Sequence, residues 1–398
     1  MGEEIPVTVL SGPLGAGKTT LVNHLLSNSG DRSIAVLVND MGEINVDAEL
    51  LSAGTEVAAD GGVAELSNGC ICCELQDDLE TEVARLASER EFEYLVVEAS
   101  GISEPEPVAR LFTTGSRAAA AYELDTMVTV VDTARFLDAF GDAEGIERET
   151  APGSTDRPLS DLLVEQIEFA DVILLNKADL LDAAELDRAE ELVRALVPRA
   201  EIHRTTHSQI DPGAVLGTGR FDPAETGSGA GWQHGLDGDD APAHGDHDHA
   251  HPDEVYNVSS FVYRRRRPFH PERIRALLGD LPSSVVRSKG LLWIAGRDES
   301  ALLMSQAGAH ATVEVLGPWL ASLPEIEREM YRSNRPDVEW DDEHGDRRTE
   351  LVFIGQEIDD SLIGRLDDCL VTDEEWGEGV ETGVFPSADE EALSVETR

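Results

Sequence analysis

Gly12-Pro-Leu-Gly-Ala-Gly17-Lys18-Thr19 has the spacing of a phosphate-binding loop. In G-x-x-x-x-G-K-T the glycines let backbone N–H groups turn inward, the lysine reaches the β- and γ-phosphates, and the threonine hydroxyl ligates Mg2+. Gly12, Gly15, Gly17, Lys18, Thr19 and Thr20 are therefore candidate nucleotide residues. A second pattern, Asn176-Lys177-Ala-Asp179, supplies a carboxylate able to accept two hydrogen bonds from the N1–H and N2–H2 edge of guanine. Adenine offers no such donor pair, so the expected nucleotide is GTP. Between them, Glu98-Ala-Ser-Gly101 puts an acid where Mg2+ is held, with a glycine N–H three residues on that can sense the γ-phosphate. Lys18, Thr19 and Glu98 are the candidate catalytic groups. Without a ligand, the same residues are a Gly-rich turn, a helix-start turn and a strand-end acid.

Three of the four cysteines, Cys70, Cys72 and Cys73, lie within four residues. Neighbouring cysteines bridge only with strain, and thiolates this concentrated suit Zn2+ or Cu+. They supply at most three ligands, so a carboxylate or histidine completes the site, or one position stays open for transfer. Redox and purely structural uses are the alternatives. His244-Gly-Asp-His247-Asp-His249-Ala-His251 is a second tract able to collect metal, or a solvated spacer. Cys369 sits in an apolar periodic segment and is expected in a core.

Positioning these groups takes strands and helices in alternation. Ile5–Leu10, Tyr94–Glu98, Thr126–Asp132 and Asp171–Asn176 read as buried strands. Leu21, Leu25 and Leu26 mark a helix after the loop. Leu75, Leu79, Val83 and Leu86 mark another, and Ala183–Val197 a third. The order implies an α/β domain over 1–210, with a parallel sheet, helices on both faces and ligands at the strand C-ends. Residues 138–158 read as an irregular insertion and 211–254 as a flexible Gly-, Asp- and His-rich linker. An α+β domain is expected over 255–372, with alternation from Tyr256 and a helix opening at Pro271. The acidic tail, 373–398, is expected to be disordered.

The charge narrows the partners. Against 31 Lys+Arg stand 80 Asp+Glu, a net −49, which repels nucleic acid and anionic lipid. No apolar run approaches ~18 residues and no signal peptide is evident, so a cytoplasmic protein with no membrane partner is expected. Only Lys18, Lys177 and Lys289 are lysines. An acidic, lysine-starved chain resembles proteins of salt-in halophiles, which implies a halophilic archaeal source. The alternative is an acidic protein of ordinary salt. Arg264–Arg267 is expected to pair with acids of the protein itself or of a partner.

The P-loop, C-x-C-C, E-x-x-G and N-K-x-D in this order resemble the G3E family of P-loop GTPases, and within it the CobW-like zinc and cobalt metallochaperones. Asn39-Asp40-Met41-Gly42-Glu43, followed by Asp47, looks like the family's Asn-Glu-Phe-Gly-Glu segment, with Asp40 one methylene shorter than the family acid. Arg287–Ala295 and Arg348–Gly355 look like parts of its C-terminal domain. The resemblance covers roughly residues 5–372. It implies a SIMIBI-type sheet of seven or eight strands, often a GTP-linked homodimer, and a CobW-like C-terminal domain. Functionally it implies GTP hydrolysis with Mg2+, coupled to delivery of Zn2+, or Co2+, to a metal-requiring client protein. Cys70, Cys72 and Cys73 would hold the metal with Glu43 assisting. A metal store or adaptor with structural GTP, or cobalt supply to cobalamin synthesis, is the alternative.

Overall fold

The computed structural model describes residues 4–30, 32–39, 63–66, 83, 85–87, 92–113, 118–140, 159–223, 258–334, 339–356, 358, 361–378, 380, 383–388 and 391–396. Two compact units are present, Met1–Gly231 and Trp232–Arg398.

Among the described residues the first unit holds seven strands: β1 (Ile5–Ser11), β2 (Ile34–Asn39), β3 (Val63–Leu66), β4 (Tyr94–Glu98), β5 (Tyr122–Asp132), β6 (Val172–Asn176) and β7 (Glu201–Arg204). Their order is β3-β2-β4-β1-β5-β6-β7, and every pairing is parallel. The helices are α1 (Lys18–Ser27), α2 (Pro105–Thr113), α3 (Thr133–Phe140), α4 (Leu159–Glu168) and α5 (Ala183–Leu196). Residues of β4 and β6 are buried throughout, because a parallel sheet is covered on both faces. On one face Val7, Val9, Leu95 and Val97 meet Phe112 and Tyr122. On the other, Val96, Val128 and Val130 meet Leu21, Val22 and Leu25 of α1. Asp182 caps α5 by accepting from Glu185 N–H at 2.9 Å, and Glu185 returns the bond, which fixes that helix start at the predicted residue. Residues 138–140, expected in the insertion, complete α3; residues 141–158 lie outside the described residues.

Residues 211–223, expected in the linker, are instead built into the first unit. Val215 and Leu216 are buried in the first unit's core, and the Thr8 hydroxyl donates to the Val215 carbonyl at 2.8 Å. Buried Asp125 accepts from Thr218 N–H and Gly219 N–H at 3.1 and 2.7 Å, and from the Tyr94 hydroxyl. A Gly-rich composition hid two apolar anchors and an acid that orders the glycines. The histidine tract lies outside the described residues.

The second unit is α+β. Among the described residues its six strands are β8 (Val258–Arg265), β9 (Val285–Leu292), β10 (Ser300–Ala307), β11 (His310–Pro318), β12 (Thr349–Gln356) and β13 (Ala392–Glu396). They form an antiparallel sheet ordered β13-β11-β10-β9-β12-β8. Helices α6 (Pro271–Leu278) and α8 (Ser361–Asp368) pack Ile274, Leu278, Leu362 and Leu366 onto Tyr263, Phe353 and Met304. Helix α7 (Glu325–Asn334) lies on the surface. Cys369 is buried in this core, and burial pushes its thiol up to about 11. It is a protonated core thiol, as expected.

The tail is not wholly without structure. Helix α9 (Asp373–Glu378) is tied down where Glu375 accepts from Arg273 at 2.7 Å, and β13 pairs with β11, which would otherwise be the sheet's edge. The Arg273 guanidinium holds the Glu375 carboxyl down at about 2. Low hydrophobicity pointed to disorder, but Leu393 and Val395 alternate toward the core and the sheet edge offers unpaired backbone. The arginine run pairs within the protein as expected, Arg264 with Glu350, Arg265 with Asp367, Arg266 with Glu339 and Arg267 with Asp373.

Such pairs neutralise few of the 80 acids, so self-repulsion remains the dominant long-range term. We expect the melting temperature to climb between dilute and molar KCl, as the screening length shrinks from ~10 Å at 0.1 M to ~3 Å. A calorimetric series in KCl checks this; a flat or falling trend contradicts the salt-adapted reading.

Candidate functional site

Because all seven strands run parallel, their C-ends lie at one end of the sheet. Ser11, Glu98, Asp132 and Asn176 terminate four adjacent strands, β1, β4, β5 and β6. From Ser11 the chain enters the loop Gly12–Gly17, then α1 begins at Lys18. Gly12, Gly15 and Gly17 all take positive φ, at 129, 76 and 115°. A Cβ on Gly17 would sit 2.4 Å from Asn176 Nδ2, so this loop requires glycine there to lie against the end of β6.

Lys18 is only 6% exposed, and its ammonium donates to the Gly12 and Pro13 carbonyls at 2.8 and 3.2 Å. The Thr19 hydroxyl donates to Glu98 Oε1 at 2.8 Å, across 79 residues of sequence. Glu98 is 4% exposed. Two expected cation-binding oxygens are thus in contact beside the loop, a donor set suited to a hard divalent ion. Gly101 also belongs here: a Cβ on it would meet the Leu14 backbone nitrogen at 2.5 Å. Thr20 is exposed on the first turn of α1.

At the end of β6 the three polar motif residues, Asn176, Lys177 and Asp179, divide the work. Asn176 is 2% exposed and faces protein. Its amide donates to the Ala16 carbonyl at 2.7 Å and accepts from Thr205 Oγ1 and Ser208 N–H at 3.1 and 2.8 Å. These bonds tie the phosphate loop to the segment after β7. Lys177 has left-handed φ 62° and its ammonium lies 2.6 Å from Asp132 Oδ2. Asp179, in the 3-10 turn Ala178–Leu180, is exposed, with its carboxylate open to a ligand.

Two contributors were missed from sequence. Asp132 ends a buried strand, the same signal that picked out Glu98. Thr205–Ser208 follows a four-residue strand of ordinary composition; only its positive φ at His207 and Ser208, 52° each, marks it as constrained. The Ser208 hydroxyl donates to the Gly17 carbonyl at 2.9 Å, closing the ring of contacts. His24 holds this segment from α1, with Nε2 2.7 Å from the Ile210 carbonyl.

Cys70, Cys72, Cys73 and Glu43 lie outside the described residues. Their neighbours do not: β2 ends at Asn39 and β3 at Leu66, adjacent in the sheet and at the same end as Ser11 and Glu98. The chain therefore leaves for both segments from the candidate site's own edge. No helix among the described residues is long and apolar enough to cross a membrane.

A glycine loop between β1 and α1, a buried lysine at the helix start and strand-end acids on a parallel sheet define a P-loop nucleotide-binding domain. Residues 6–204 match the family model described as CobW/HypB/UreG, nucleotide-binding domain, and 258–370 that of the cobalamin synthesis protein cobW C-terminal domain. The chain belongs to this CobW/HypB/UreG family. It is 38% identical to zinc-regulated GTPase metalloprotein activator 1 of Dictyostelium discoideum, covering 94% of this chain and 81% of that protein. It is 31% identical to the zinc chaperone CobW of Pseudomonas aeruginosa, covering 90% of each. The zinc chaperone YjiA of Escherichia coli is 27% identical, over 90% of this chain and 96% of that one.

Proposed function

We propose that this chain is a GTP-hydrolysing metallochaperone that carries Zn2+ at Cys70, Cys72 and Cys73 and delivers it to a client protein. The observation that carries the reading is the shared end of one parallel sheet. Phosphate loop, Glu98 and Asp179 lie there, and β2 and β3 lead from it directly into the segments bearing Glu43 and the cysteines. The relatives' names, a zinc-regulated GTPase activator and zinc chaperones, support both the nucleotide and the cargo.

In this reading the loop amides and Lys18 bind the phosphates, and Asp179 takes the guanine edge. Asn176, Thr205 and Ser208 keep the two in register. Thr19 and Glu98 would hold Mg2+, which when bound neutralises charge on the phosphate oxygens. β2 is hydrogen-bonded along its length to β4, whose last residue is Glu98. A shift at the γ-phosphate can therefore reach the strand ends that precede the metal segments. Zinc binding should release protons as thiols ionise, so affinity should climb with pH.

A titration of zinc against a competing chelator, with GDP or a non-hydrolysable GTP analogue, tests the coupling. Zinc affinity is expected to differ between the two states by ~5–150-fold, and zinc must shift GTP affinity by the same factor. Cys72→Ser should weaken zinc binding and abolish the difference while leaving metal-free GTP binding intact. Equal zinc affinity in both states refutes coupled delivery and favours a metal store with structural GTP.

A further inference from the structure

A cleft of about 580 Å3 opens in the second unit, between the end of β8, the turn Asp341–Gly345 and α9. Its size is within the ordinary range of ligand sites, about 300–1,000 Å3. Arg265, Arg266 and Arg267 line it together. In a chain with 80 acids against 31 basic residues, three consecutive arginines lining one cavity are a local reversal of charge, although the Arg265 guanidinium is held by Asp367 over the Tyr263 ring.

Opposite them stands an aromatic platform. The His344 and Trp376 rings stack with centroids 5.2 Å apart and planes at 28°, and Trp293 meets Trp376 edge-on at 5.6 Å. Arg267 lies 5.3 Å from the Trp376 ring centroid. Trp376 is still 38% exposed, an unusual state for a large apolar ring already braced on three sides.

Arg266 and Arg267 have side-chain partners, but replaceable ones. Arg266 is held at 2.9 Å by Glu339, which is 74% exposed, and Arg267 by Asp373, which is 95% exposed. Ion pairs of this kind contribute little net stability, so an incoming carboxylate can exchange with them. Glu343 and Asp373 at the rim repel a multiply charged anion such as a phosphate ester. Both can accept hydrogen bonds from peptide N–H groups.

We propose that this cleft docks a segment of a partner protein that carries one carboxylate beside an aromatic side chain. Arg266 and Arg267 take the carboxylate in charge-assisted hydrogen bonds, the Trp376–His344 platform stacks the neighbouring ring, and Asp373 and Glu343 accept backbone N–H groups. The docking is independent of the nucleotide and zinc reading, since every residue involved lies in the second unit.

The test uses the full chain in molar KCl, which screens the chain's repulsion of an acidic peptide to ~3 Å. Fluorescence anisotropy is followed with a labelled, end-blocked Gly/Ser peptide bearing a central Phe-Glu pair, its Phe-Gln match and an Ala-Glu match. The Phe-Glu peptide is expected to bind about tenfold or more tighter than Phe-Gln, the scale of a hydrogen bond to a charged group. Arg266→Gln and Trp376→Ala should each weaken it about fivefold or more, Trp376→Phe should keep most of the affinity, and GTP binding should be unchanged in all three. Should Trp376→Ala unfold α9, Arg266→Gln, which lies outside that helix, still decides. Equal binding of the Glu and Gln peptides, no binding, or unaltered affinity in Arg266→Gln overturns the proposal. So does inorganic phosphate that competes at comparable concentration and with the same sensitivity to Arg266→Gln, which would assign an anion site instead.

Discussion

Asp179→Asn is expected to exchange guanine for xanthine nucleotides. The carboxylate sits at an exposed turn whose backbone is fixed from both sides: Lys177 is locked in a left-handed conformation with its ammonium on Asp132, and Asn176 is bound to Ala16, Thr205 and Ser208. A side chain at position 179 is therefore presented at a set distance from the phosphate loop. Ionised, it only accepts, and guanine offers two donors on one edge. Each hydrogen bond to a charged group contributes about 1.5–3 kcal/mol. Losing both acceptor interactions should weaken GTP by about 100-fold or more. The asparagine amide donates where the carboxylate accepted, which fits the added carbonyl of xanthine. Competition binding of GTP, XTP and ATP to both proteins checks the exchange. The native protein should prefer GTP to ATP by about 100-fold or more, because adenine leaves the carboxylate facing no donor. Equal native affinity for ATP and GTP would remove guanine recognition from the assignment, and with it the reason for the exchange.

Much of this arrangement was legible before any coordinates. The phosphate loop, Glu98 and the N-K-x-D turn each follow a buried strand, and hydrophobic runs ending in polar residues are a local signal. What local signals omit is which atom faces which neighbour. Asn176 carries the same motif identity whether it touches a base or braces a loop; its partners Ala16, Thr205 and Ser208 lie 160, 29 and 32 residues away. The segment 211–223 misled for a related reason. Its glycines read as linker, yet Val215 and Leu216 are buried in the same core cluster as Leu21, Val22 and Leu25 of α1, and Asp125 orders the backbone between them and Phe221. The tail misled because composition averages over the two alternating residues, Leu393 and Val395, that an open sheet edge can use. Cys369 was placed correctly because apolar periodicity is itself a burial signal.

Lys18→Ala should all but abolish phosphate affinity and hydrolysis while leaving the fold standing. The ammonium lies at the N-terminus of α1 and is held on the Gly12 and Pro13 carbonyls, within the loop whose amides would surround the phosphates. It is therefore a preorganised cation that moves little to meet its ligand. Removing one such donor from a catalytic site typically costs about 100–1,000-fold in rate, and the phosphoryl-transfer barrier depends almost wholly on positioning and charge. The fold has other supports: Leu21, Val22 and Leu25 seat α1 on the sheet, and Asn176 and Ser208 grip the loop at Ala16 and Gly17. Thermal melts with and without GTP separate the two effects. Without nucleotide, wild type and variant should melt within a few degrees of each other. With GTP at about 100 times its Kd, wild type should gain roughly 2.7 kcal/mol of stability, a shift the variant should lack at the same concentration. A variant that still gains that shift would place phosphate recognition in the loop amides alone. A variant that melts far earlier without ligand would make Lys18 part of the framework rather than a ligand group.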